Sequence, residues 1–380
     1  MDKKKILIMY ATYGTGHKAI ANYVKDYFNK NENYEIKVLD ILDYSTRVLG
    51  GVTDKVFNNL LIKVPMLWNF IYYSTDNKIG GKVGAGFQAR TLNNDRLTKT
   101  VMSYNPDLII TTHFTATHFI CKLKKKKVID VPLVCIVTDH KAHQMWLELN
   151  KYIDKMIVSA PEIKKGLIKK GIESSKIKSY GIPVSDKYIK ELYDKNALLK
   201  KYRVKGDRPI ILFYAGGGDG SFSSIPYLLT LIELKVDADV FFVCGKNQKL
   251  REKAQGMVRR HGNKNIKVLG FIETGPEYMS ISDFIITRPG GITTTEALCF
   301  NKPMVLIKGV GGQEIDNTRF LEKKGYAVNA RWIFIFRLVI RNLCENPNAL
   351  LKFQAKVNKA NQNNAMEKLF KLINQMLINK

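Results

Sequence analysis

The segment from Asp283 to Asn317 alternates short apolar runs with glycine turns, and this alternation restricts the fold of the chain most strongly. An apolar run at 284–286 stops at the letters RPGG, and residues 293–298 then have the composition of a helix. A second apolar run at 303–308 ends in GVGGQE. Strand, glycine turn, helix and strand in this order are typical of the parallel sheets of α/β proteins.

The same alternation continues along the whole chain and predicts two doubly wound domains. In the N-terminal half, the predicted strands are 4–10, 35–39, 108–112, 133–137 and 155–158, and the predicted helices include 17–28, 116–126 and 162–170. The pattern restarts near Pro209, where a strand runs into the loop GGGDGSF. Later strands are predicted at 240–244, 266–269, 284–286, 304–307 and 326–328.

The length of 380 residues also favours two domains, each large enough to bury its own core. We predict an α/β fold with an N-terminal domain at 1–185, a C-terminal domain at 186–355 and a C-terminal helix within 356–380 that packs back toward the N-terminal domain. Apolar residues at helical spacing put that helix at about 365–377. The five cysteines stand singly in apolar runs, which indicates buried thiols in a reducing compartment and argues against structural zinc.

The turn from Arg288 to Gly291 is a candidate phosphate-binding site. A helix that begins there presents unsatisfied backbone N–H groups, and the glycines let a ligand approach the backbone closely. Glu296 lies one turn inside this helix, where a carboxylate is suited to accept hydrogen bonds from sugar hydroxyls. Such turns occur in every doubly wound protein, so this turn alone leaves open whether a ligand binds. The second turn, with Gln313, Glu314 and Asn317 at the same sheet edge, favours a nucleotide-sugar site.

The chain is strongly basic. It contains 61 lysines and arginines against 34 aspartates and glutamates, which gives a formal net charge of +27. A positive surface of this kind attracts nucleic acid or an anionic membrane, although a composition rich in lysine and asparagine accounts for part of the charge. No apolar run reaches the ~20 residues that span a bilayer, so any work at a membrane would be done from its surface.

The segment 41–104 interrupts the pattern of strands and helices with aromatic residues interleaved with cations. Its aromatic residues include Phe57, Trp68, Phe70, Tyr72, Tyr73 and Phe87. This mixture suits a membrane interface or stacked bases, and it also suits a helical insertion whose aromatic rings pack inward. We favour a membrane-facing insertion, because long loops without a regular pattern are usually functional.

Six motifs in a fixed order give the chain a family resemblance. They are GTGH from Gly14, VTDHKAHQMW from Val137, GIPV from Gly181, GGG from Gly216, RPGGITTTEAL from Arg288 and GGQEIDN from Gly311. Together they resemble the monogalactosyldiacylglycerol synthase and processive diacylglycerol glucosyltransferase family, roughly up to Val328. The resemblance implies a GT-B fold, in which two Rossmann-like domains face an interdomain cleft. The sugar donor would bind the C-terminal domain and the lipid acceptor the N-terminal domain.

The resemblance assigns the first glycine turn to the acceptor. Gly14 and Gly16 form the turn, and His17 corresponds to the family's proposed catalytic base, which takes the proton of the acceptor hydroxyl. An imidazole suits this role because its unperturbed pKa lies near neutrality. A lone histidine at a helix start is more often a cap, but its place after a glycine turn favours the base. The family element that resembles an acceptor or anionic-lipid contact is matched by Asp139, His143 and Trp146.

The same resemblance assigns the glycine turns of the C-terminal half to the donor. The residues expected near it are Gly217, Gly218 and Ser221 for the diphosphate, Gly270 and Phe271 for the uracil, Glu296 for the ribose, and Gln313 and Glu314 for the hexose, with Asn317 in support. The turn at the helix start contributes Arg288, Gly290, Gly291 and Thr293. Because helix N-termini and N–H groups can stabilise the departing UDP, we expect neither a metal nor a cofactor.

Three departures from the family pattern affect these expectations. Arg288 stands where the family usually has lysine, which keeps the charge, and Gly311 stands where it usually has proline, which loosens the loop. The tract RWIFIFRLVIRNL from Arg331 fits the family poorly. The motifs therefore point to a donor class, UDP-glucose or UDP-galactose, without choosing between its members.

The resemblance implies an inverting glycosyltransferase that moves glucose or galactose from a UDP-sugar to diacylglycerol. It also implies a peripheral enzyme at the cytoplasmic face of the membrane, with anionic lipids as partners and no nucleic acid. Three alternatives stay open. The acceptor could be an isoprenoid-linked sugar, as in the similar transferase that completes lipid II. The chain could be a UDP-N-acetylglucosamine 2-epimerase, which needs no membrane-seeking surface, or it could bind lipid or nucleic acid without catalysis.

Overall fold

The computed structural model describes residues 3–44, 65–77, 79–81, 84, 94–358, 360 and 364–378. Much of the basic and aromatic insertion predicted at 41–104 therefore lies outside the described residues, Phe57 and Phe87 included. Within the described part, Phe70 and Tyr73 are exposed and Tyr72 is buried. The membrane-facing role of this insertion stays a prediction.

The strands of the described chain form two parallel sheets. They are β1 (Lys4–Tyr10), β2 (Tyr34–Asp40), β3 (Leu108–Thr111), β4 (Leu133–Ile136), β5 (Lys155–Ile157), β6 (Ile177–Lys178), β7 (Ile210–Tyr214), β8 (Asp239–Val243), β9 (Ile266–Leu269), β10 (Phe284–Thr287), β11 (Met304–Leu306) and β12 (Ala327–Asn329). The first sheet has the order β2-β1-β3-β4-β5-β6, and the second has the order β12-β11-β10-β7-β8-β9. The strand order reverses between β1 and β3 and between β7 and β10. Open α/β sheets bind ligands at such points, beyond the carboxyl ends of the strands.

Helices connect successive strands and cover the sheets. They are α1 (Gly16–Phe28), α2 (Pro65–Ser74), α3 (Asn94–Tyr104), α4 (Phe114–Lys125), α5 (Pro161–Lys169), α6 (Lys195–Tyr202), α7 (Ile225–Leu234), α8 (Gln248–Arg260), α9 (Gly275–Ile281), α10 (Gly291–Cys299), α11 (Gln313–Lys324), α12 (Ile333–Glu345), α13 (Pro347–Val357) and α14 (Ala365–Ile378). Among the helices that the structure describes, none has the length and apolar character needed to cross a membrane.

The chain divides into two compact units. The first comprises residues 1–185, 310–313 and 364–380, and the second comprises residues 186–309 and 314–363. The central strands of each sheet are buried on both faces, and Ile8 of β1 and Phe213 of β7 have no exposed surface. A parallel sheet covered on both faces has no polar side, which is why its strands are continuous apolar runs such as ILIM and IILF.

These two Rossmann-like domains confirm the predicted fold class. The predicted strand ends agree with the observed ones to within one residue. The prediction missed β6, because two residues give no periodic signal. Helix α10 begins at Gly291, before the predicted start at residue 293, because a glycine turn can provide the N-cap as well as the loop.

The C-terminal helix α14 packs on α1 within the first unit. Leu369 is fully buried, and the ring of Phe370 lies 4.9 Å from that of Phe28. The hydroxyl of Tyr34 donates a hydrogen bond to the side-chain oxygen of Asn374. Helix α14 therefore completes the apolar core beside α1 and β2.

Replacing Leu369 by alanine should destabilise the first unit by about 2–5 kcal/mol, because the change removes buried apolar surface and leaves a cavity. Lys371→Ala is the matched control on the same helix, since its exposed pair with Glu367 contributes little. Urea unfolding measures both variants in a background with Trp68 and Trp332 replaced by phenylalanine, so that the fluorescence comes from Trp146, which is buried in the same unit. A Leu369 variant as stable as the control would show that α14 does not complete this core.

Candidate active site

Loops of the first unit meet at the carboxyl ends of β1, β3 and β4. Gly14 turns the chain after β1 with a φ of +83°, and α1 begins at Gly16. His17 follows, with its Nδ1 2.6 Å from the carbonyl oxygen of Thr112 and 3.3 Å from the Oγ1 of Thr138. The hydroxyl of Thr112 donates to the carbonyl oxygen of His17 at 3.0 Å. These contacts hold the imidazole where the strand order reverses, as expected of a ligand site.

The hydrogen bonds of His17 determine which ring nitrogen can act as a base. A carbonyl oxygen only accepts, so Nδ1 carries the proton and donates it to Thr112. Nε2 then holds the lone pair. Burial lowers the pKa of His17 to about 4, although the residue as a whole keeps some exposed surface. The imidazole is therefore neutral at neutral pH and able to accept a proton at Nε2.

The residues that surround His17 lie outside the set predicted from the sequence. Thr112 and Thr138 contact it directly, and the ring of His113 meets it edge-on with the centroids 4.6 Å apart. His113 is buried and caps α4 by accepting a hydrogen bond from the N–H of Thr115 at 3.2 Å. A signal exists in the sequence, because β3 runs into TTH and β4 runs into VTDH at the sheet edge where β1 ends.

The three residues predicted to contact the acceptor or lipid occupy different environments. Asp139, in the loop after β4, is partly exposed. His143 is buried, its Nδ1 accepts from a backbone N–H of the next turn, and its Nε2 donates to the carbonyl oxygen of Tyr72 at 2.8 Å. Trp146 is buried in the core of the first unit. Burial leaves little of His143 or Trp146 to contact a lipid, and both instead brace the loop.

Further polar contacts tie the end of α2 to the same loop. Asp76, just beyond α2, pairs with Lys141 at 2.7 Å and accepts from the N–H of Gln144 at 2.9 Å. The hydrogen bond from His143 to Tyr72 joins the same two segments. The described end of the aromatic insertion therefore supports the loop that carries Asp139.

In the second unit, the turn between β10 and α10 has the form expected of an anion seat. Gly290 is the N-cap of α10 and has no side chain to satisfy the first N–H groups of the helix. Thr293, on the first turn, is partly exposed. Asn317 of α11 is buried and donates from Nδ2 to the carbonyl oxygen of Pro289 at 3.0 Å, which fixes the turn. The N–H groups from Gly291 onward point out of the helix end, as phosphate binding requires.

The glycine loop after β7 lies against this turn. Gly216 has a φ of +117°, and a β-carbon built there would lie 3.2 Å from side-chain atoms of both Arg288 and Ser221. Gly217 also has a positive φ. The carbonyl oxygen of Gly218 accepts from a backbone N–H beyond β8 at 2.9 Å. The predicted diphosphate residues therefore share one sheet edge with Arg288, and Gly216 is where only glycine fits.

Arg288 and Glu314 form an ion pair beside the anion seat. Nη2 of Arg288 lies 2.9 Å from Oε1 of Glu314. The Nε of Arg288 is buried and has no hydrogen-bond partner among the residues that the structure describes, so a donor is left for an anionic ligand. Glu314, predicted to bind hexose hydroxyls, is thus partly committed to the arginine. Gln313, the other predicted hexose residue, is partly exposed at the start of α11.

The residues predicted for the nucleoside lie at the same edge of the second sheet. Glu296 of α10 is buried. The pKa of Tyr214 is raised, first by the burial of Tyr214 itself and second by the negative charge of Glu296. The carboxylate of Glu296 therefore lies near Tyr214, at the end of β7. Gly270 and Phe271 follow β9, and the Phe271 ring is exposed with the Nζ of Lys246 5.3 Å from its centroid. An exposed aromatic face beside backbone amides suits a pyrimidine base.

Acid should destabilise the first unit more than the second. Burial lowers the pKa of the histidines of the first unit, which are His17, His113, His118, His140 and His143. In the unfolded chain these histidines take up protons near pH 6.5. In the folded unit the pKa of all five is lower, and that of His17, His118 and His140 is about 4. The unfolded state therefore binds more protons in this window, and stability falls as pH drops through it. Each histidine contributes a slope of up to about 1.4 kcal/mol per pH unit.

Urea unfolding at about pH 7.5 and about pH 5 tests this expectation. Two variants that each keep a single tryptophan report on the units separately. One keeps Trp146, which is buried in the first unit, and the other keeps Trp332 of the second unit, whose single histidine is His261. The midpoint of the first unit should fall on acidification, and that of the second should fall less. Equal falls in both units would indicate general charge repulsion in a basic chain and would contradict the histidine account.

Two family models match the chain. The model described as monogalactosyldiacylglycerol (MGDG) synthase matches residues 17–184, and the model described as glycosyltransferase family 28 C-terminal domain matches residues 217–376. The first match begins at His17, and the second contains the donor-side turns and the tract after Arg331.

Solved structures share the fold at low sequence identity. MurG from Acinetobacter baumannii has a TM-score of 0.61 at 17% identity, covering 98% of this chain and 99% of MurG. UDP-GlcNAc 2-epimerase from Neisseria meningitidis, solved bound to UDP-GlcNAc, has a TM-score of 0.62 at 16% identity, covering 98% of this chain and 100% of the epimerase. These likenesses concern the fold alone, and they confirm the GT-B type with its two Rossmann-like domains.

A sequence relative covers nearly the whole chain. The processive diacylglycerol beta-glucosyltransferase of Bacillus licheniformis is 30% identical over 362 residues, which cover 95% of this chain and 90% of the relative. This relative and the two family models agree with the resemblance that the six spaced motifs carry. The chain therefore belongs to the monogalactosyldiacylglycerol synthase and processive diacylglycerol glucosyltransferase family.

Proposed function

We propose that this protein transfers a hexose from a UDP-sugar to diacylglycerol and forms a β-linked glycolipid. The observation that carries the proposal is His17, a neutral imidazole whose Nδ1–H is held by Thr112 and whose Nε2 holds the lone pair. It lies in a chain whose relative is named a processive diacylglycerol beta-glucosyltransferase. The donor loops of the second unit support the proposal, because their helix start and Arg288 suit a diphosphate.

The chemistry follows from the orientation of His17. The acceptor hydroxyl donates its hydrogen bond to Nε2, and Nε2 takes the proton as the hydroxyl oxygen attacks the anomeric carbon. The bond between that carbon and the phosphate oxygen breaks, and UDP leaves with the electron pair. The carbonyl oxygen of Thr112 then stabilises the imidazolium through Nδ1–H. UDP-hexoses of this kind carry an α-linked sugar, so attack from the opposite face gives the β product.

The departing UDP needs compensation for its negative charge. The N-terminal N–H groups of α10 and the guanidinium of Arg288 supply it, while Glu296 accepts from the ribose hydroxyls. Gln313 and Glu314 bind the hexose in this proposal, and Asn317 holds the turn. Since the protein itself supplies the positive groups, no metal is required, and transfer should proceed at the same rate in EDTA.

The finer identity of the substrates is also part of the proposal. Glucose is the preferred sugar over galactose, because the relative is named a glucosyltransferase. The net charge of +27 supports work at an anionic membrane surface, which for a cytoplasmic UDP-sugar is the inner face. Anionic lipids would hold the protein near its acceptor without entering the reaction.

The proposal is tested by supplying UDP-glucose or UDP-galactose with diacylglycerol in mixed micelles and following release of UDP. We expect release that depends on diacylglycerol and is unaffected by EDTA. Release of UDP without diacylglycerol would indicate hydrolysis. In a parallel reaction supplied with UDP-GlcNAc, its conversion to the 2-epimer would assign the chain to the epimerases. Either result, without glycolipid, would overturn the proposal.

A further inference from the structure

Helix α12 of the second unit presents an apolar stripe that the proposed function leaves unused. Phe334 and Leu338 are one turn apart and are 65% and 60% exposed, and Trp332, the N-cap of the helix, is 58% exposed. We call Trp332, Phe334 and Leu338 the α12 stripe. Single exposed apolar residues are common on soluble proteins, whereas three large ones within two turns mark an interaction surface.

The packing of α12 fixes the direction of this stripe. Its opposite face is buried through Phe336, Ile340 and Leu343, and the Phe336 ring lies 5.0 Å from the ring of Tyr227 on α7. Phe334 and Leu338 precede Phe336 and Ile340 by two residues, which is a rotation of about 200° around the helix. The helix therefore cannot bury the stripe without exposing its own core face.

Arginines border the stripe. The guanidinium of Arg331 lies 5.2 Å from the centroid of the Trp332 ring, and its backbone carbonyl accepts from the hydroxyl of Tyr227. Arg337 pairs with Glu233 of α7 at 2.7 Å, and Arg341 lies on the exposed side of the helix. Tryptophan and other large apolar residues with arginines beside them are the composition of helices that lie in a lipid interface. A chain of net charge +27 is attracted to an anionic surface and repelled by a cationic one.

We propose that the α12 stripe inserts into the interface of an anionic lipid bilayer. Its apolar side chains would lie at the boundary between headgroups and acyl chains, and Arg331 and Arg341 would lie among the headgroups. The proposal gives the second unit a lipid contact of its own, separate from the aromatic insertion of the first. It rests on the proposed function in one respect, since an enzyme that acts on diacylglycerol has to stay at a bilayer. Charge complementarity and the exposed aromatic rings of Trp332 and Phe334 support the rest of the proposal.

Vesicle co-sedimentation tests the proposal. The probe is a vesicle of phosphatidylglycerol and phosphatidylcholine, and the variant is the double substitution Phe334→Ser with Leu338→Ser. We expect its partition coefficient to fall about tenfold or more relative to the wild type. Leu192→Ser is the matched control, because Leu192 is 62% exposed in the same unit beside Glu191, away from any arginine in the sequence. Its binding should equal that of the wild type.

Two further measurements follow the contact itself. In a background with Trp68 and Trp146 replaced by phenylalanine, the fluorescence of Trp332 should shift to the blue when vesicles are added. Arg341→Gln should weaken vesicle binding about fivefold at low salt and less at high salt. Wild-type binding by the double variant would overturn the proposal. The proposal would also be overturned if the double variant had a lower mass than the wild type in gel filtration and bound vesicles equally well. The stripe would then join two copies of the chain.

The test separates this proposal from the proposed function. In detergent micelles that disperse diacylglycerol, the double variant should transfer hexose at the wild-type rate, because the stripe lies outside the groups assigned to the reaction. If the wild type transferred no hexose in micelles, the proposed function would be wrong. Vesicle binding would still test whether the α12 stripe contacts lipid. A variant inactive in micelles yet equal to the wild type in vesicle binding would contradict the stripe as a lipid anchor.

Discussion

A His17→Ala variant is expected to transfer hexose about 100- to 10,000-fold more slowly than the wild type while binding UDP equally well. The imidazole touches only the acceptor hydroxyl in the proposed reaction, so its loss removes proton transfer and leaves the donor loops intact. Steady-state rates with UDP-glucose and diacylglycerol, together with calorimetric titration of UDP, measure the two effects separately. His261→Ala is the matched control, because that histidine lies at the end of α8 and bonds to the carbonyl oxygen of Met257.

The pH profile supplies a second test of the same assignment. Since burial holds the pKa of His17 near 4, the base is already neutral well below pH 6.5. The value of kcat/KM should therefore stay level as pH falls from about 8 to about 5.5, as far as this group is concerned. A fall in kcat/KM below about pH 6.5 that is absent from the alanine variant would contradict the buried, neutral state of His17. If the His17→Ala variant turned over at the wild-type rate, His17 would not be the base.

A Glu296→Gln variant is expected to raise the KM for the UDP-sugar by about 10- to 100-fold, with a smaller change in kcat. The buried carboxylate accepts from ribose hydroxyls in the proposed complex, and hydrogen bonds to a charged group are worth more than neutral ones. The amide keeps the shape of the side chain, so the fold of α10 should be unaffected. Titration of UDP and steady-state kinetics check both quantities.

The control for this variant is Glu252→Gln, which changes an exposed carboxylate on α8 of the same unit. Its kinetic constants should match those of the wild type. If Glu296→Gln bound UDP as tightly as the control, the carboxylate would have no part in holding the nucleoside. If it instead lowered kcat at unchanged KM, Glu296 would act in the chemical step, contrary to its assignment to the donor.

The two sheets could be predicted from the sequence because their strands are continuous apolar runs separated by glycine turns. The neighbours of His17 could not, because Thr112 and Thr138 are 95 and 121 positions away along the chain. Only the strand order brings their loops to the end of β1. Pattern alone gives the order of elements along the chain, whereas contacts between loops depend on which strands lie side by side.

The burial of Trp146 and of the two faces of helix α12 could not be predicted from sequence motifs. Trp146 matches a family element assigned to the acceptor, yet packing in the core of the first unit buries it. The irregular loop around it has no periodicity from which burial could be predicted. Helix α12 is the opposite case, because Phe334 and Phe336 are both apolar and only packing against α7 decides that the second is buried and the first exposed.

The central claim is that this chain joins a hexose from a UDP-sugar to diacylglycerol with His17 as the base. The most direct test is a mass spectrum of the lipids formed when the wild type and the His17→Ala variant are given diacylglycerol and a mixture of UDP-glucose, UDP-galactose and UDP-GlcNAc. The account predicts diacylglycerol carrying one or more hexoses with the wild type and almost none with the variant. Diacylglycerol left unmodified by the wild type, or equal glycolipid from both proteins, would contradict it.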